Sequence, residues 1–286
     1  MAIYFSFQAA LCFSIAHIFI RRGLVDSNAM TGSFISLSMS AVVLWLAVPF
    51  FAPFDALWNP AALLFVVAGI FAPGIGRTLS YVGIEKIGVS RSVPIANSSP
   101  IFASVFAVTF LAETWVLQNV IGTLLVIGGI VVLSMAKPAR GEWRKIDVIY
   151  PLIGAVAFGA STTLRKFGLG FINIPLLAAA VTAGSAALFS FALLQIQGGR
   201  RAFKLNRRSA AWLFPAGLFN TAAMLSVFFA LSHGKVVIVE PLVSSNPVTT
   251  LLLTSIFLRD VESLTLRVIL GAALTVTGTV LVVLVK

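Results

Sequence analysis

Two nine-residue cassettes stand out for the chemistry their residue types could carry. Residues 92–100 read SVPIANSSP and residues 239–247 read VEPLVSSNP. Each holds two prolines six positions apart, Pro94 with Pro100 and Pro241 with Pro247, and each is followed by a long apolar run. A proline inside a helix removes a backbone N–H and pushes on the carbonyl four residues earlier. Pro100 would free the carbonyl of Ala96, and Pro247 that of Val243. In an apolar setting a bare carbonyl is costly unless something satisfies it. Asn97, Ser98 and Ser99 in one cassette, and Ser244, Ser245 and Asn246 in the other, can bond backbone, water or a ligand. Two readings are open. The cassettes are bent, hydrated segments lining a central cavity, or they are kinks whose polar residues only patch their own helix.

Glu240 is the sharpest single residue. The chain has nine acids, and this one lies well inside an apolar run. It precedes Ser244 by four positions and Pro247 by seven, which puts all three on one helical face. An acid inside a membrane span suggests function by default. A carboxyl facing a partly dry cavity could take up a proton in one state and release it in another, so Glu240 is the candidate proton-coupling group. The alternative is an acid near a span end that reaches water or pairs with Arg165 or Lys166. Arg77 lies in PGIGRTLSYVG with Tyr81 one turn on. That pair could contact an anion or a carboxylate, or Arg77 could snorkel to the headgroups. His17 sits one turn before Arg21. With Arg77 and Arg91 it would make an electropositive mouth, and its alternative is a packing role. No HExxH, GxSxG, phosphate loop or metal cluster is present, so no cofactor is expected. The lone cysteine, Cys12, excludes an intrachain disulfide.

The elements that must position these residues are membrane spans. Of 286 residues, 59% are hydrophobic and 10% charged, too few charges for a soluble surface. Apolar runs near the length of a bilayer recur throughout. The reading gives ten helical spans: 3–20, 31–51, 61–84, 90–111, 117–136, 147–164, 173–195, 210–232, 236–257 and 266–285. The net charge of +11 sits almost wholly in the connections, with no basic domain to bind nucleic acid. The first run lacks the preceding basic residues of a signal peptide and is read as a retained span.

The cassettes fall at equivalent places in two halves. Pro94 and Pro241 are 147 residues apart, as are Pro100 and Pro247. FSIAHIFIRRGL (13–24) matches FGASTTLRKFGL (158–169), and Glu240 falls opposite Val93. Gly122 and Gly129 match Gly271 and Gly278, small-residue faces suited to packing between the halves or to a homodimer. Five spans per half is odd, so the second half runs through the membrane in the opposite sense. The expected fold is an all-α membrane protein of ten transmembrane helices in two inverted five-helix repeats, 1–136 and 147–286. Fifteen of nineteen loop and terminal cations fall in odd-numbered loops, which positive-inside reasoning places in the cytoplasm with both termini outside.

The chain resembles the drug/metabolite transporter superfamily and, within it, the ten-span EamA family. The residues that carry this are Asn97-Ser98-Ser99-Pro100 with Leu111-Ala112-Glu113, and Ser244-Ser245-Asn246-Pro247 with Leu258-Arg259-Asp260. The resemblance implies a secondary transporter in the cell (inner) membrane, with spans 1, 3, 4, 6, 8 and 9 around a central cavity. It implies export of an amino acid or related small polar metabolite, driven by an ion gradient or by the substrate's own gradient; membrane lipids are further partners, and protons are a partner through Glu240. The same superfamily contains lipid-intermediate flippases, and a non-transporting membrane enzyme or receptor is a third reading. Family members usually keep both termini in the cytoplasm and carry a basic second loop; here that loop, APFDALWNP (52–60), has no Lys or Arg.

Overall fold

The computed structural model describes residues 1–87, 95–114, 116–134, 144–199, 202–246, 248–249 and 266–284. Among these residues the chain is helical, with no strand. The helices are α1 (Ala2–Gly23), α2 (Ala29–Phe51), α3 (Ala62–Gly69), α4 (Arg77–Ile87), α5 (Ser99–Leu111), α6 (Leu117–Ser134), α7 (Ile149–Phe171), α8 (Pro175–Ile196), α9 (Arg207–His233), α10 (Val236–Ser244) and α11 (Leu266–Val283). Local chemistry sets several starts. The Asn28 side chain accepts from the Thr31 N–H at 2.8 Å and opens α2, a cap worth about 1 kcal/mol. Asn206 and Ser209 form a reciprocal capping box at the start of α9. Pro175 stands in the first turn of α8, where a missing N–H costs nothing.

Six helical segments are long and apolar enough to cross a membrane: Ala2–Ile20, Met30–Phe51, Ala62–Ser80, Ile146–Phe171, Pro175–Ile196 and Arg207–His233. Ser99–Leu111, Leu117–Val132 and Ala273–Val282 are shorter apolar helices. Much of the ninth expected span, from residue 250 on, lies outside the described residues. The outer surface is greasy along several helices, with Leu46 and Phe50 on α2, Leu188 on α8 and Leu218 on α9 all exposed. A contiguous apolar exterior of this kind suits lipid as solvent.

Two expected spans differ in detail. The span read as 61–84 is not one regular helix. Ile70–Gly76 forms a π-helical segment around Pro73, between α3 and α4. Proline cannot donate in an α ladder, and a wider turn accommodates it. The span read as ending at 164 runs on to Phe171, so Arg165 and Lys166 belong to helix α7 rather than to a loop. Both have partners there that make the extension tolerable. Lys166 Nζ donates to the Leu231 carbonyl at 2.7 Å, and Arg165 stacks on Phe228.

The packing pairs helices from opposite ends of the chain. α1 lies along α9, and α7 lies along the α3–α4 span. α2 packs on α8, and α6 on α11. The α6–α11 seam is made of small residues. A Cβ on Gly122 would meet the Gly278 carbonyl and Val282, and one on Gly129 would meet the Gly271 carbonyl and Thr275. In lipid, where water does not drive helices together, such close backbone contact supplies the attraction. The main core gathers Phe65, Phe228, Leu177 and Leu44 with many alanines of α8.

Candidate functional site

Glu240 is buried on α10, 8% exposed. The Ser99 hydroxyl, at the start of α5, donates to its Oε1 at 3.4 Å. Thr162 of α7 is a second hydroxyl near it, and donates to the Phe158 carbonyl at 3.2 Å. Arg165, one turn beyond Thr162 on the same face of α7, lies within electrostatic range of the carboxylate. The acid therefore has one hydroxyl donor, a second hydroxyl nearby and a cation within electrostatic range, the kind of company a charge held away from water requires. The Arg165 guanidinium sits over the ring of Phe228 from α9, 5.4 Å from its centroid. Arg165 is 9% exposed and its Nε has no hydrogen-bond partner.

Arg77, the first residue after the π-helical segment, is half-buried and within electrostatic range of both Arg165 and His17. The extra residue in a π turn rotates the next stretch of helix, and with it Arg77, about the helix axis. Three glycines let this segment sit tightly. Gly69 abuts the Thr182 backbone, Gly74 the Phe189 ring and Gly76 the Phe158 ring. His17 lies on α1 with Phe13 stacked on it at 6.4 Å. One turn before His17, Ser14 Oγ reaches the Asn246 carbonyl at 2.9 Å, so this face of α1 turns toward the second cassette. His17 is nonetheless exposed.

The cassettes divide their labour. Asn97 and Ser98 form a turn, and α5 begins just after them, so Pro100 stands at a helix start rather than inside a helix. The expected kink is there a break. Ser98 Oγ donates to the Ile95 carbonyl at 2.6 Å, and Ser245 Oγ to the Leu242 carbonyl at 2.7 Å. Asn246 Nδ2 donates to the Val243 carbonyl at 3.2 Å, the group that Pro247 would leave bare. These three side chains mend backbone. Ser99 instead reaches across to Glu240, and Ser244 is buried on the same stretch of α10. Pro241 is buried inside α10. Pro94, Pro247 and the Tyr81 side chain lie outside the described residues.

Sequence reasoning did not single out Glu113, and it treated Arg165 as a loop charge. Glu113 is 8% exposed and its two oxygens accept the N–H groups of Val236 (2.9 Å) and Val237 (3.1 Å). A carboxylate at that place satisfies two unpaired donors and complements the helix dipole of α10. Ala112, at φ 51°, makes the left-handed turn that aims it. The signal was present in the Leu111-Ala112-Glu113 closure of the run. Beside this latch, Lys166 and Lys235 line a cleft with Phe167 and Phe171. Among the described residues no group of three or more His, Cys, Asp or Glu could hold a metal ion.

The cluster sets one carboxylate within electrostatic range of a guanidinium whose Nε has no partner. Its members come from α1, the α3–α4 span, α5, α7, α9 and α10.

Comparison with known proteins adds three findings. The sequence profile of the EamA-like transporter family matches residues 1–135 and again residues 145–284. An uncharacterized transporter of Archaeoglobus fulgidus is 25% identical over 228 residues, 79% of each chain. A protein of known crystal structure superposes with a TM-score of 0.77 at 17% identity, covering 100% of this chain and 99% of its own, which is a likeness of fold. With its repeated family match and its apolar membrane-length helices, this multi-pass membrane protein belongs to the EamA-like transporter family.

Proposed function

We propose that this family member is a secondary transporter that exports a small polar metabolite, such as an amino acid, across the inner membrane. It works by alternating access between two inverted five-helix halves, 1–136 and 147–286, around one central cavity. The observation that carries this reading is the cluster itself. Glu240, Ser99, Thr162, Arg165, Phe228, Arg77 and His17 converge from spans 1, 3, 4, 6, 8 and 9, drawn from both halves. Inverted-repeat transporters hold substrate where broken helices of the two halves meet. The helix pairing supports the inversion. Exchanging the halves turns the α1–α9 contact into the contact of α7 with the α3–α4 span, and returns α2–α8 and α6–α11 to themselves.

Protons are the proposed coupling ion, with Glu240 as carrier. The acid stands in electrostatic range of Arg165 and accepts from Ser99, and substrate or water reaching Arg165 alters the field in which it holds a proton. Orientation is read from the loop cations. With Arg165 and Lys166 inside α7, the even side of the membrane loses two of its few positive charges. Counterflow of labelled solutes in proteoliposomes tests the reading. Saturable exchange of a water-soluble solute supports it. Movement of a labelled lipid with no solute exchange overturns it in favour of a flippase.

A further inference from the structure

Arg165 lies within electrostatic range of one carboxylate, Glu240, and of a second guanidinium, Arg77, among the described residues. Arg165 is nine-tenths buried and its Nε lacks a partner. An unsatisfied donor in so dry a place is unfavourable, more so on a cation. Phe228 covers the flat face of the guanidinium and is itself fully buried. Only the edge remains for hydrogen bonding. The Nε edge, together with a neighbouring N–H, is one of the two-pronged faces that a carboxylate takes in parallel bonds.

We propose that this Arg165 edge binds the carboxylate of the transported substrate, and that the substrate is a small soluble organic acid of net charge −1. The inference rests on the transporter reading and narrows its substrate class. Charge decides among anions and zwitterions. With Glu240 ionised, Arg77 and Arg165 leave one positive charge in excess among the described residues. A monoanion neutralises it. A neutral zwitterion leaves it, and a phosphate ester dianion overshoots. Glu240 already accepts from Ser99, which leaves it fewer lone pairs for a substrate ammonium. Glu240 is then the built-in counter-ion of Arg165, and the substrate competes with it. His17 on α1 is in electrostatic range of Arg77.

The test is the unfolding temperature of the purified full-length protein in sodium acetate, against sodium chloride and tetramethylammonium chloride at equal ionic strength. Acetate should stabilise the wild type beyond the other two. Arg165→Lys keeps the charge but loses the fork. It should need roughly tenfold more acetate for the same gain, and its midpoint in chloride reports that it still folds. Glu240→Gln removes the competing anion and should respond at lower acetate. No acetate-specific gain in the wild type, or an equal gain in Arg165→Lys, overturns the proposal. Stabilisation by short-chain phosphatidylglycerol with acetate inert also overturns it, and places a lipid headgroup there. The transport reading is judged apart from this. Counterflow of alanine or choline that Arg165→Lys leaves unchanged would sink the anion inference and leave a transporter standing.

Discussion

Ser99 and Glu240 are 141 residues apart in sequence and meet through a hydroxyl–carboxylate hydrogen bond of 3.4 Å. One residue belongs to the first cassette and the other to the second, so this contact ties the two halves together at their broken helices. Thr162 places a second hydroxyl near the same acid.

Removing those hydroxyls should therefore be felt mainly through the acid. Ser99→Ala is expected to destabilise by about 1.5–3 kcal/mol, the usual range for a hydrogen bond to a charged group, and Thr162→Ala by less. In a Glu240→Gln background both losses should shrink. Thermal unfolding of the four single and double combinations for each pair measures this. Equal losses in both backgrounds would mean that the hydroxyls act elsewhere.

The latch at the start of α10 is a separate device. Glu113→Ala strips two N–H groups of their acceptors and should cost about 1–2 kcal/mol, as loss of a strong helix cap does. Glu113→Gln keeps one acceptor oxygen and should fall between. Hydrogen exchange at Val236 and Val237 should quicken in both variants. Unchanged exchange would show that other groups hold this end.

The seam between α6 and α11 gives a built-in control. Gly129 faces the Gly271 backbone, whereas a Cβ on Gly128 would meet nothing within 4 Å. Gly129→Leu should abolish stable folding, and Gly128→Ala should be tolerated. Yield and monodispersity in detergent distinguish them. Similar behaviour of the two variants would contradict the observed seam.

These cases show what was legible in the sequence. Glu240 stood out because an acid in an apolar run has no bland composition to hide in. The Gly122/Gly129 and Gly271/Gly278 spacings gave a small-residue face, and the structure sets the two faces against each other. Arg165 was hidden by its place just beyond an apolar run. Window hydropathy reads such a charge as loop, whereas an aromatic face and a nearby acid let the helix carry it seven residues farther than expected. The π turn was hidden because Pro73-Gly74 fits a kink as well as a bulge. Glu113 read as a span end, because its partners, the N–H groups of Val236 and Val237, lie in the other half. Long-range satisfaction of backbone donors leaves almost no local trace.

Orientation is open to direct labelling. Ser209 is buried in the capping box of α9, so its neighbour Arg208, with an 81% exposed side chain, is the better probe position. In a Cys12→Ser background, Arg208→Cys should resist an impermeant thiol reagent in intact cells and react once the membrane is opened. Ready labelling of intact cells would turn the chain over, with its termini inside.

The account stands or falls on Glu240 as the group that couples substrate movement to protons. The repeat partner of Glu240 is Val93, so the fold accepts an uncharged side chain at this kind of position. The most direct measurement is net solute flux in proteoliposomes with and without an imposed pH gradient, for the wild type and Glu240→Gln. The account predicts that the wild type follows the gradient, and that Glu240→Gln folds and still exchanges solute but no longer responds to it. A wild type indifferent to the gradient, or a Glu240→Gln protein that responds as the wild type does, would contradict it.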